Sequence, residues 1–340
     1  RQALVLLPEI ALTSEFITRV EARFGAKPAE WHSGVTMTER RRCWKMVGQG
    51  EAQMVVGARS ALFLPFRDLG LIVVDEEHDT SYKQEDGALY NARDMAVLRA
   101  SLNDAQVVLA SATPSLESWA NADAGKYQRL DLTSRFGEAV MPKMSAIDMR
   151  SEDVPSGRWI SPSLQSGITQ RIERGEQSLV FLNRRGYAPV TICRACGHQI
   201  ACDHCDARMV EHRFLKRLMC HQCGETKPMP EACPSCEVEG KLAPVGPGVE
   251  RISEEVEALF PDARTVILSS DLFGSARALK ERIEQIAAGE ADIIIGTQIV
   301  AKGHNFPLLM LVGVIDADLG LQGSDLRAAE RTFQLMRQVA

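Results

Sequence analysis

The chain has 340 residues, enough for about two or three domains, and a formal net charge of −6. An acidic chain does not coat a polyanion through its overall charge, so any contact with nucleic acid must be local. There is no apolar run of about 18 residues, which argues against a membrane span. Because the chain lacks an initiating Met and ends inside a helical pattern, we expect it to be part of a longer protein.

Apolar, strand-like runs alternate with helical segments at the start of the chain. Strands are predicted at 3–8, 52–58, 69–76 and 105–113, and helices at 10–25, 36–50 and 91–103. Nearly continuous apolar strands in such alternation are typical of a parallel sheet that is covered on both faces. We therefore predict an α/β lobe over 1–135.

The pattern fades over 136–160, which we interpret as a linker, and then resumes. A helix is predicted at 161–175, and strands at 177–182, 264–270, 291–297 and 309–317. A cysteine-rich block interrupts this second α/β lobe. We therefore predict that the second lobe starts at 161–190, holds an insert at 191–242 and continues at 243–340. No internal repeat is apparent.

An unusual density of acids follows the apolar run at 71–74. In open parallel sheets, ligands bind beyond the carboxyl ends of the strands, where carboxylates can hold Mg²⁺ and polarise an attacking water. Small hydroxyl residues end the next predicted strand at the same edge. An acidic surface loop without chemistry is the alternative. The candidate catalytic residues are Asp75, Glu76, Glu77, His78, Ser111 and Thr113.

Eight of the nine cysteines form four C-x-x-C pairs, and the ninth is Cys43. Regular pairing without other secretory features favours zinc over disulfides and indicates a reducing, cytoplasmic compartment. Eight thiolates make two closed, structural sites. We expect Cys43 to be a buried structural thiol. The predicted ligands are Cys193, Cys196, Cys202, Cys205, Cys220, Cys223, Cys233 and Cys236.

The spacing of the pairs bears on which of them share a metal. The 14 residues between the two inner pairs suit a β-hairpin, so the inner pairs would form a zinc ribbon and the outer pairs a second site around it. Sequential pairing, first with second and third with fourth, stays open. We expect the neighbouring histidines at 198, 204, 212 and 221 to lie at the surface or behind the ligands.

Several motifs in order resemble those of superfamily 2 helicases. "DEEH" (75–78) with "SAT" (111–113) resembles motifs II and III, and "LVLLPEIALT" (4–13) resembles motif Ia. "VVGARSALFLPF" (55–66) resembles a DNA-contact segment, "IIIGTQIVAKGHNFP" (293–307) motif V, and "RTFQLMRQVA" (331–340) the opening of motif VI. Four C-x-x-C pairs directly after "NRRGYAP" (183–189) resemble the PriA family of bacterial primosomal helicases.

The resemblance implies roles for individual residues. Asp75 would hold Mg²⁺, Glu76 would be the general base, and Ser111 and Thr113 would link hydrolysis to movement of the lobes. A loop coupling DNA to ATP hydrolysis would include Tyr82, Lys83 and Tyr90, with the aromatic rings available for stacking on bases. Contacts to the DNA backbone or the nucleotide would come from Arg59, Ser60, Gly296, Thr297, Gln298, Lys302 and Gly303.

The resemblance also implies an activity, cofactors and partners. The fold would be two RecA-like lobes of an ATP-dependent 3′–5′ DNA helicase that restarts stalled forks and assembles the primosome, with two Zn²⁺, Mg²⁺ and ATP. Its partners would be forked or D-loop DNA, other primosome and replication-restart proteins and single-stranded DNA-binding protein. It would be cytoplasmic, bacterial and nucleoid-associated, without membrane contact.

Some expected features are missing, and other functions stay open. No G-x-x-x-x-G-K-[ST] phosphate loop occurs in the sequence, and the later arginines expected in motif VI are also absent from it. We therefore expect this chain alone to bind ATP poorly and not to hydrolyse it. The alternatives are a non-motor DNA or primosome-protein docking module with a structural zinc insert, and an RNA helicase or other translocase of superfamily 2.

Overall fold

The computed structural model describes residues 1–8, 14–84, 87–133, 142–155, 158–182, 190–193, 195–205, 207–212, 215, 217–220, 222–245, 248–269, 276–297, 306–321 and 326–339. The chain divides into two compact units, Arg1–Val140 and Met141–Ala340, and this division falls inside the predicted linker. No helix among the described residues is long and apolar enough to cross a membrane.

The first unit is built on a five-stranded parallel sheet with the order β2-β3-β1-β4-β7. The strands are β1 (Gln2–Leu6), β2 (Ala29–Trp31), β3 (Met54–Gly57), β4 (Leu69–Asp75) and β7 (Gln106–Ala110), and a separate small hairpin consists of β5 (Lys83–Gln84) and β6 (Tyr90–Asn91). The helices are α1 (Ser14–Phe24), α2 (Met37–Gln49), α3 (Ala92–Leu102) and α4 (Leu116–Asp123). Short 3-10 turns span Arg59–Phe63 and Thr80–Tyr82.

The core of this unit lies along the central strands, as their apolar sequences predict. Leu4 of β1 is paired with Val55 of β3 on one side and with Ile72 of β4 on the other, and all three side chains are fully buried. Burial on this scale contributes roughly 1.5–3 kcal/mol for each large aliphatic side chain. The sheet therefore fixes where the ends of its strands lie.

The second unit contains a four-stranded parallel sheet with the order β14-β15-β8-β16. Its strands are β8 (Gln177–Phe181), β14 (Thr265–Leu268), β15 (Ile293–Gly296) and β16 (Leu309–Val314). Its helices are α5 (Pro162–Glu173), α6 (Val249–Leu259), α7 (Ala276–Ala287) and α8 (Ala328–Val339). The α/β architecture predicted for both parts of the chain is confirmed.

The cysteine-rich insert leaves the second unit after β8 and forms small antiparallel elements. They are β9 (Val190–Cys193), β10 (Val210–His212), β11 (Arg217–Met219), β12 (Thr226–Lys227) and β13 (Leu242–Val245). Strands β10, β11 and β12 make a meander, whereas β9 pairs with β13 from Cys193↔Leu242 to Val190↔Val245. The β9–β13 ribbon is the neck through which the insert leaves and rejoins the lobe.

The two sheets share a local repeat, so the expectation that the chain has none was wrong. "GEAQMVVG" (50–57) leads into and forms β3, and "GEADIIIG" (289–296) leads into and forms β15. Each adjacent central strand starts with a buried glutamine. The Gln2 side-chain amide donates to the carbonyls of Val47 and Ala52, and that of Gln177 donates to those of Ile286 and Ala291. In each sheet, the side-chain amide of an equivalent glutamine therefore links the end of a helix to the start of the neighbouring strand.

Candidate active site and metal centres

The acidic cluster lies at the carboxyl edge of the first sheet. Strand β1 is central, β3 and β4 flank it on opposite sides, and Asp75 at the end of β4 is paired with Ala110 at the end of β7. Where successive strands are added on opposite sides of a central strand in a parallel sheet, a crevice opens at the carboxyl ends, and ligands of α/β proteins bind there. The acidic cluster therefore lies at the edge of the sheet where the sequence predicted a ligand site.

Asp75 is half-buried where its strand ends. One carboxylate oxygen accepts the backbone N–H of Glu76 at 3.0 Å. Burial raises the pKa of Asp75, and the Glu76 hydrogen bond and the nearby His78 partly oppose that rise. A carboxylate oxygen at an open strand end is the kind of donor that Mg²⁺ prefers.

Glu76 turns the chain away from the strand. Its φ angle is 48°, in the left-handed region that non-glycine residues rarely adopt, and its carbonyl accepts the N–H of Asp79 at 2.7 Å. Its side chain is 41% exposed, with one carboxylate oxygen 3.5 Å from Nδ1 of His78. Part of the Glu76 side chain is therefore within reach of solvent and a ligand, while the oxygen that faces His78 is buried.

His78 connects the two motifs that end β4 and β7. Its Nδ1 lies 2.7 Å from the hydroxyl of Ser111, and its Nε2 lies 3.4 Å from the hydroxyl of Thr113. The Thr113 N–H donates to the same Ser111 oxygen at 2.9 Å. The structure therefore brings together the residues that were grouped from sequence, through a ring that is only 5% exposed.

Glu77 does not belong to the reactive edge, which corrects its prediction as a catalytic residue. It is 2% exposed, and its carboxylate accepts the N–H and hydroxyl of Ser115 at 2.6 and 2.9 Å and the hydroxyl of Ser118 at 2.9 Å. Arg93 adds a contact at 3.4 Å. Because Ser115 caps α4 and Arg93 lies in the first turn of α3, Glu77 positions both helices.

Tyr82 is also placed differently from the prediction. It is 1% exposed, and its hydroxyl lies 3.0 Å from the carbonyl oxygen of Leu6 and 2.6 Å from that of Asp75. Burial and the surrounding acids raise the pKa of this phenol. A buried ring cannot stack on a base, so Tyr82 instead anchors the loop to the ends of β1 and β4.

The other predicted contacts of the first unit lie on two segments joined by Arg59. Its guanidinium donates to the carbonyls of Ser81 and Lys83 at 3.0 and 2.9 Å, so it holds the loop after the acidic cluster. Lys83 and Ser60 are exposed. Tyr90 is half-buried and packs edge-on against Phe63, with the ring centroids 5.2 Å apart.

The predicted site residues of the second unit are described only in part. Gly296 ends β15 and is buried, and the buried Thr297 donates its N–H to the carbonyl of Leu268 at 3.3 Å. Gln298, Lys302 and Gly303 lie outside the described residues. Their proposed contacts with nucleotide and DNA stay predictions.

The eight paired cysteines form two tetrads, and the nested pairing is confirmed. The tetrads are Cys193, Cys196, Cys233 and Cys236, and Cys202, Cys205, Cys220 and Cys223, each with its sulfur atoms within 4.8 Å of one another. Individual Sγ–Sγ distances are 3.5 and 3.7 Å. Four sulfurs around zinc, with Zn–S bonds of about 2.3 Å, have edges of roughly 3.8 Å. The donor set and its dimensions therefore fit zinc.

In each tetrad, backbone donors lower the pKa of one or two cysteines and so favour the thiolate form that a metal needs. The N–H of Cys223, and then that of Gln222, lower the pKa of the Cys220 thiol to about 6 against the opposing effect of burial. This arrangement comes from the C-x-x-C turn itself, because its backbone amides point back at the first sulfur. Zinc binding would complete the deprotonation of the set.

The histidines near the cysteines occupy different environments. His204 is at the surface, 3.3 Å from a Glu225 carboxylate oxygen, and His198 is half-buried. His212 corrects the expectation: it is 2% exposed, and its Nδ1 lies 3.8 Å from a carboxylate oxygen of Glu250, in the first turn of α6. It joins the insert to the lobe. His221 lies outside the described residues.

Two parts of the chain match families of known proteins. Residues 1–122 match the DEAD/DEAH box helicase family, and residues 202–228 match the PriA DNA helicase Cys-rich region (CRR) domain. The first match contains the whole carboxyl-edge cluster, and the second contains the inner tetrad. The chain therefore carries a RecA-like helicase core with a zinc-ribbon insert.

Curated relatives match over the entire chain. Replication restart protein PriA of Rickettsia felis is 46% identical over 100% of this chain and 52% of its own length, and that of Bacillus subtilis is 43% identical over 100% and 42%. The chain belongs to the PriA family, as its motifs indicated, and spans about half the length of these relatives. A solved structure of RecG bound to a three-way DNA junction aligns with 98% of this chain and 38% of its own, at 14% identity and a TM-score of 0.44.

Proposed function

We propose that the protein containing this chain is an ATP-dependent DNA helicase that moves 3′ to 5′, restarts stalled replication forks and assembles the primosome. The observation that carries the proposal is the His78 bridge between the ends of β4 and β7, in a chain that matches replication restart proteins along its whole length. Such a bridge lets a change at one strand end reach the other.

Each residue of the carboxyl edge has a distinct part in the proposed reaction. Asp75 is the residue that would hold Mg²⁺, which when bound neutralises charge on the transferred phosphoryl group. The partly exposed carboxylate of Glu76 orients the attacking water and accepts its proton. His78 contacts Glu76, Ser111 and Thr113. A movement of Glu76 would therefore shift the His78 ring and, through it, the two hydroxyl residues.

DNA binding is proposed for the segments joined by Arg59. A strand running past the exposed Ser60 and Lys83 would meet the same loop that Tyr82 fixes to Asp75. Arg59 would then report DNA binding to the hydrolysis site, because its guanidinium already holds that loop through two carbonyls. Tyr90 and the Gly296–Thr297 end of β15 are further proposed contacts.

The insert is proposed as the part that meets other proteins of replication restart. Two structural zinc ions in the cysteine tetrads would make it rigid, and it is carried on the β9–β13 neck. The proposed partners are forked or D-loop DNA, primosome proteins and single-stranded DNA-binding protein, in the cytoplasm near the nucleoid.

A strand-displacement assay tests this function. The zinc-loaded protein at the length of its relatives would be given forked duplexes with a single-stranded 3′ or 5′ tail, ATP and Mg²⁺. We expect ATP-dependent separation of the substrate that is entered by 3′-to-5′ movement, with competition by unlabelled forked DNA exceeding that by the matching RNA. Binding without strand separation would instead favour the non-motor docking module, and preference for RNA would favour an RNA helicase.

A further inference from the structure

A surface formed by α2 and the end of β2 combines aromatic and basic side chains that are exposed or half-buried. We call it the α2 patch and define it as Trp31, Arg40, Arg41 and Trp44. Trp44 is 49% exposed, and its ring centroid lies 6.2 Å from that of Trp31 at an interplanar angle of 43°. The guanidinium carbon of Arg40 lies 5.9 Å from the Trp31 ring centroid. An indole with this exposure on a helix has no role in the core of the unit.

The sequence of α2 determines which residues form the patch. Cys43 and Val47 are buried against the sheet and fix the rotation of the helix. Arg40 and Arg41 precede Trp44 by four and three residues, so they lie one turn earlier on the same side. Arg42 is two residues from Trp44, and its side chain therefore leaves the helix in a different direction.

The patch is held in place before any ligand binds. The Arg40 guanidinium donates to the carbonyl of His32 at 2.6 Å, and the indole N–H of Trp31 donates to the hydroxyl of Ser60 at 3.2 Å. The second bond connects the patch to the exposed residue beside Arg59. Pre-organised groups lose less conformational entropy on binding.

The charge of the patch is positive in an otherwise acidic chain. Between Arg40 and Gln49 the helix carries four cations and no acid, whereas the chain has a formal net charge of −6. The nearest preceding acid, Glu39, bonds with one carboxylate oxygen to the N–H and hydroxyl of Thr36, at 3.0 and 2.7 Å. Among the residues that the structure describes, Arg41 forms no ion pair.

We propose that the α2 patch binds single-stranded DNA, with an unpaired base stacked on Trp44 and the adjoining phosphates at Arg40 and Arg41. Base stacking needs an accessible flat ring, and phosphate binding needs nearby cations; this surface offers both at the spacing of one helical turn. A duplex keeps its bases stacked on one another, and an acidic peptide makes little use of an indole face. The inference rests on the proposed function, because it takes DNA as the ligand.

The test measures binding of a fluorescent oligothymidylate to the zinc-loaded 340-residue chain as salt is varied. We expect Trp44→Ala to weaken binding about fivefold or more, the loss that corresponds to roughly 1 kcal/mol of stacking, and Trp44→Phe to keep most of the affinity. Arg41→Ala should reduce the slope of log affinity against log salt by about 0.7, the value for one phosphate contact with a single strand. Arg42→Ala, with the same change of charge on the same helix, is the matched control and should leave the slope nearly unchanged.

The outcomes separate this inference from the proposed function. If the wild type binds the oligonucleotide and Trp44→Ala binds equally well, the inference is wrong and the proposed function stands. If the wild-type chain does not bind single-stranded DNA at all, the inference is wrong, and the proposed function is judged by the strand-displacement assay on the longer protein. If an acidic peptide binds in a Trp44-dependent way and the oligonucleotide does not, the patch belongs to a protein partner. Trp44→Leu, which keeps apolar contact with Trp31 but removes the flat ring, replaces Trp44→Ala should that variant be unstable.

Discussion

Glu76 and Glu77 are neighbours in sequence, but their carboxylates have different surroundings. The left-handed backbone of Glu76 ends the alternation of the strand, so one side chain reaches solvent and the other enters the space between α3 and α4. Two adjacent acids can therefore have different roles: Glu76 faces the proposed hydrolysis site, and Glu77 holds α3 and α4 in place.

This division gives different costs for removing each carboxylate. Glu77→Ala would leave the buried N–H of Ser115 without its acceptor and would remove one of the carboxylates around the buried Arg93, which costs about 3 kcal/mol or more. Glu76→Ala should change the free energy of unfolding by less than about 1 kcal/mol, because its side chain is partly exposed. Urea unfolding of the two variants measures both values. Equal stability of the two would contradict the assigned role of Glu77.

The raised pKa of Asp75 predicts a pH-dependent stability. The folded state binds this proton more tightly than the unfolded state, so ionised Asp75 destabilises the first unit at neutral pH. Asp75→Asn should therefore raise the free energy of unfolding at pH 7. The gain should shrink as the pH falls through the folded pKa towards the ordinary value of 3.8.

Denaturant unfolding of the first unit between pH 7 and pH 4 checks this expectation. Asp123→Asn at an exposed position of α4 is the matched control and should have little effect at any pH. A variant at position 75 that is less stable than the wild type at pH 7 would show that the Asp75 carboxylate is stabilised, not strained, in the fold.

At this scale the sequence predicted which residues gather at the edge but not which way they face. The apolar strands placed Asp75, Ser111 and Thr113 correctly, since parallel strands end at one edge. The environments of Glu77 and Tyr82 depend on the turn at Glu76 and on partners at Leu6, Ser115 and Ser118, which are distant in sequence. No local pattern encodes such contacts.

The insert is the element whose stability depends on metal. Its buried cluster includes Ile200, Met209 and Leu218 and two of the cysteines, which is a small apolar core for a segment of this length. Metal binding is therefore expected to supply much of its folding free energy. The cysteines of the inner tetrad come from the segment that contains the β10–β11–β12 meander. The cysteines of the outer tetrad lie before and after that segment in the sequence.

The nested arrangement predicts that a substitution in the outer tetrad removes only one of the two metal ions. Wild type should hold two zinc ions for each chain, and Cys233→Ser should lose the outer ion while the inner site, with its own hairpin, keeps zinc. Cys43→Ser, outside both tetrads, is the control and should keep two. Metal analysis by mass spectrometry measures the ratios, and loss of both ions from Cys233→Ser would show that the inner site does not fold by itself.

Chelation tests how far the insert is separate from the lobe. We expect the segment 193–236 to lose its amide protection while both parallel sheets keep theirs, with hydrogen exchange as the measurement. The buried His212 beside Glu250 and the β9–β13 neck should loosen with the insert. A single cooperative loss of protection over the whole chain would contradict this modular organisation.

Some elements could be predicted from the sequence and others could not. The spacing of the C-x-x-C pairs favoured nested tetrads because the 14 residues between the inner pairs suit a β-hairpin. Strand β2 was missed, since Ala29–Trp31 is short and lies at the sheet edge without an apolar run. The repeat at 50–57 and 289–296 was visible in the sequence, and aligning the segments before each glycine would have found it.

At the scale of the whole molecule, the chain contains two α/β units, as the proposed activity requires. Each unit is a parallel sheet with a carboxyl edge, and the second carries the metal-binding insert. The chain spans about half the length of the relatives that it matches. Activity must therefore be measured on the protein at the length of those relatives.

The most direct measurement is ATP hydrolysis by that longer protein, zinc-loaded, with and without forked DNA, for the wild type, Glu76→Gln and the exposed control Glu51→Gln. We predict strong stimulation by the fork in the wild type and the control. In Glu76→Gln we predict a loss of at least about 100-fold in turnover with ATP binding retained, as expected for removal of a general base. Full fork-stimulated turnover in Glu76→Gln, or no stimulation of the wild type, would contradict the account of the β4 edge as the hydrolysis site of a DNA motor.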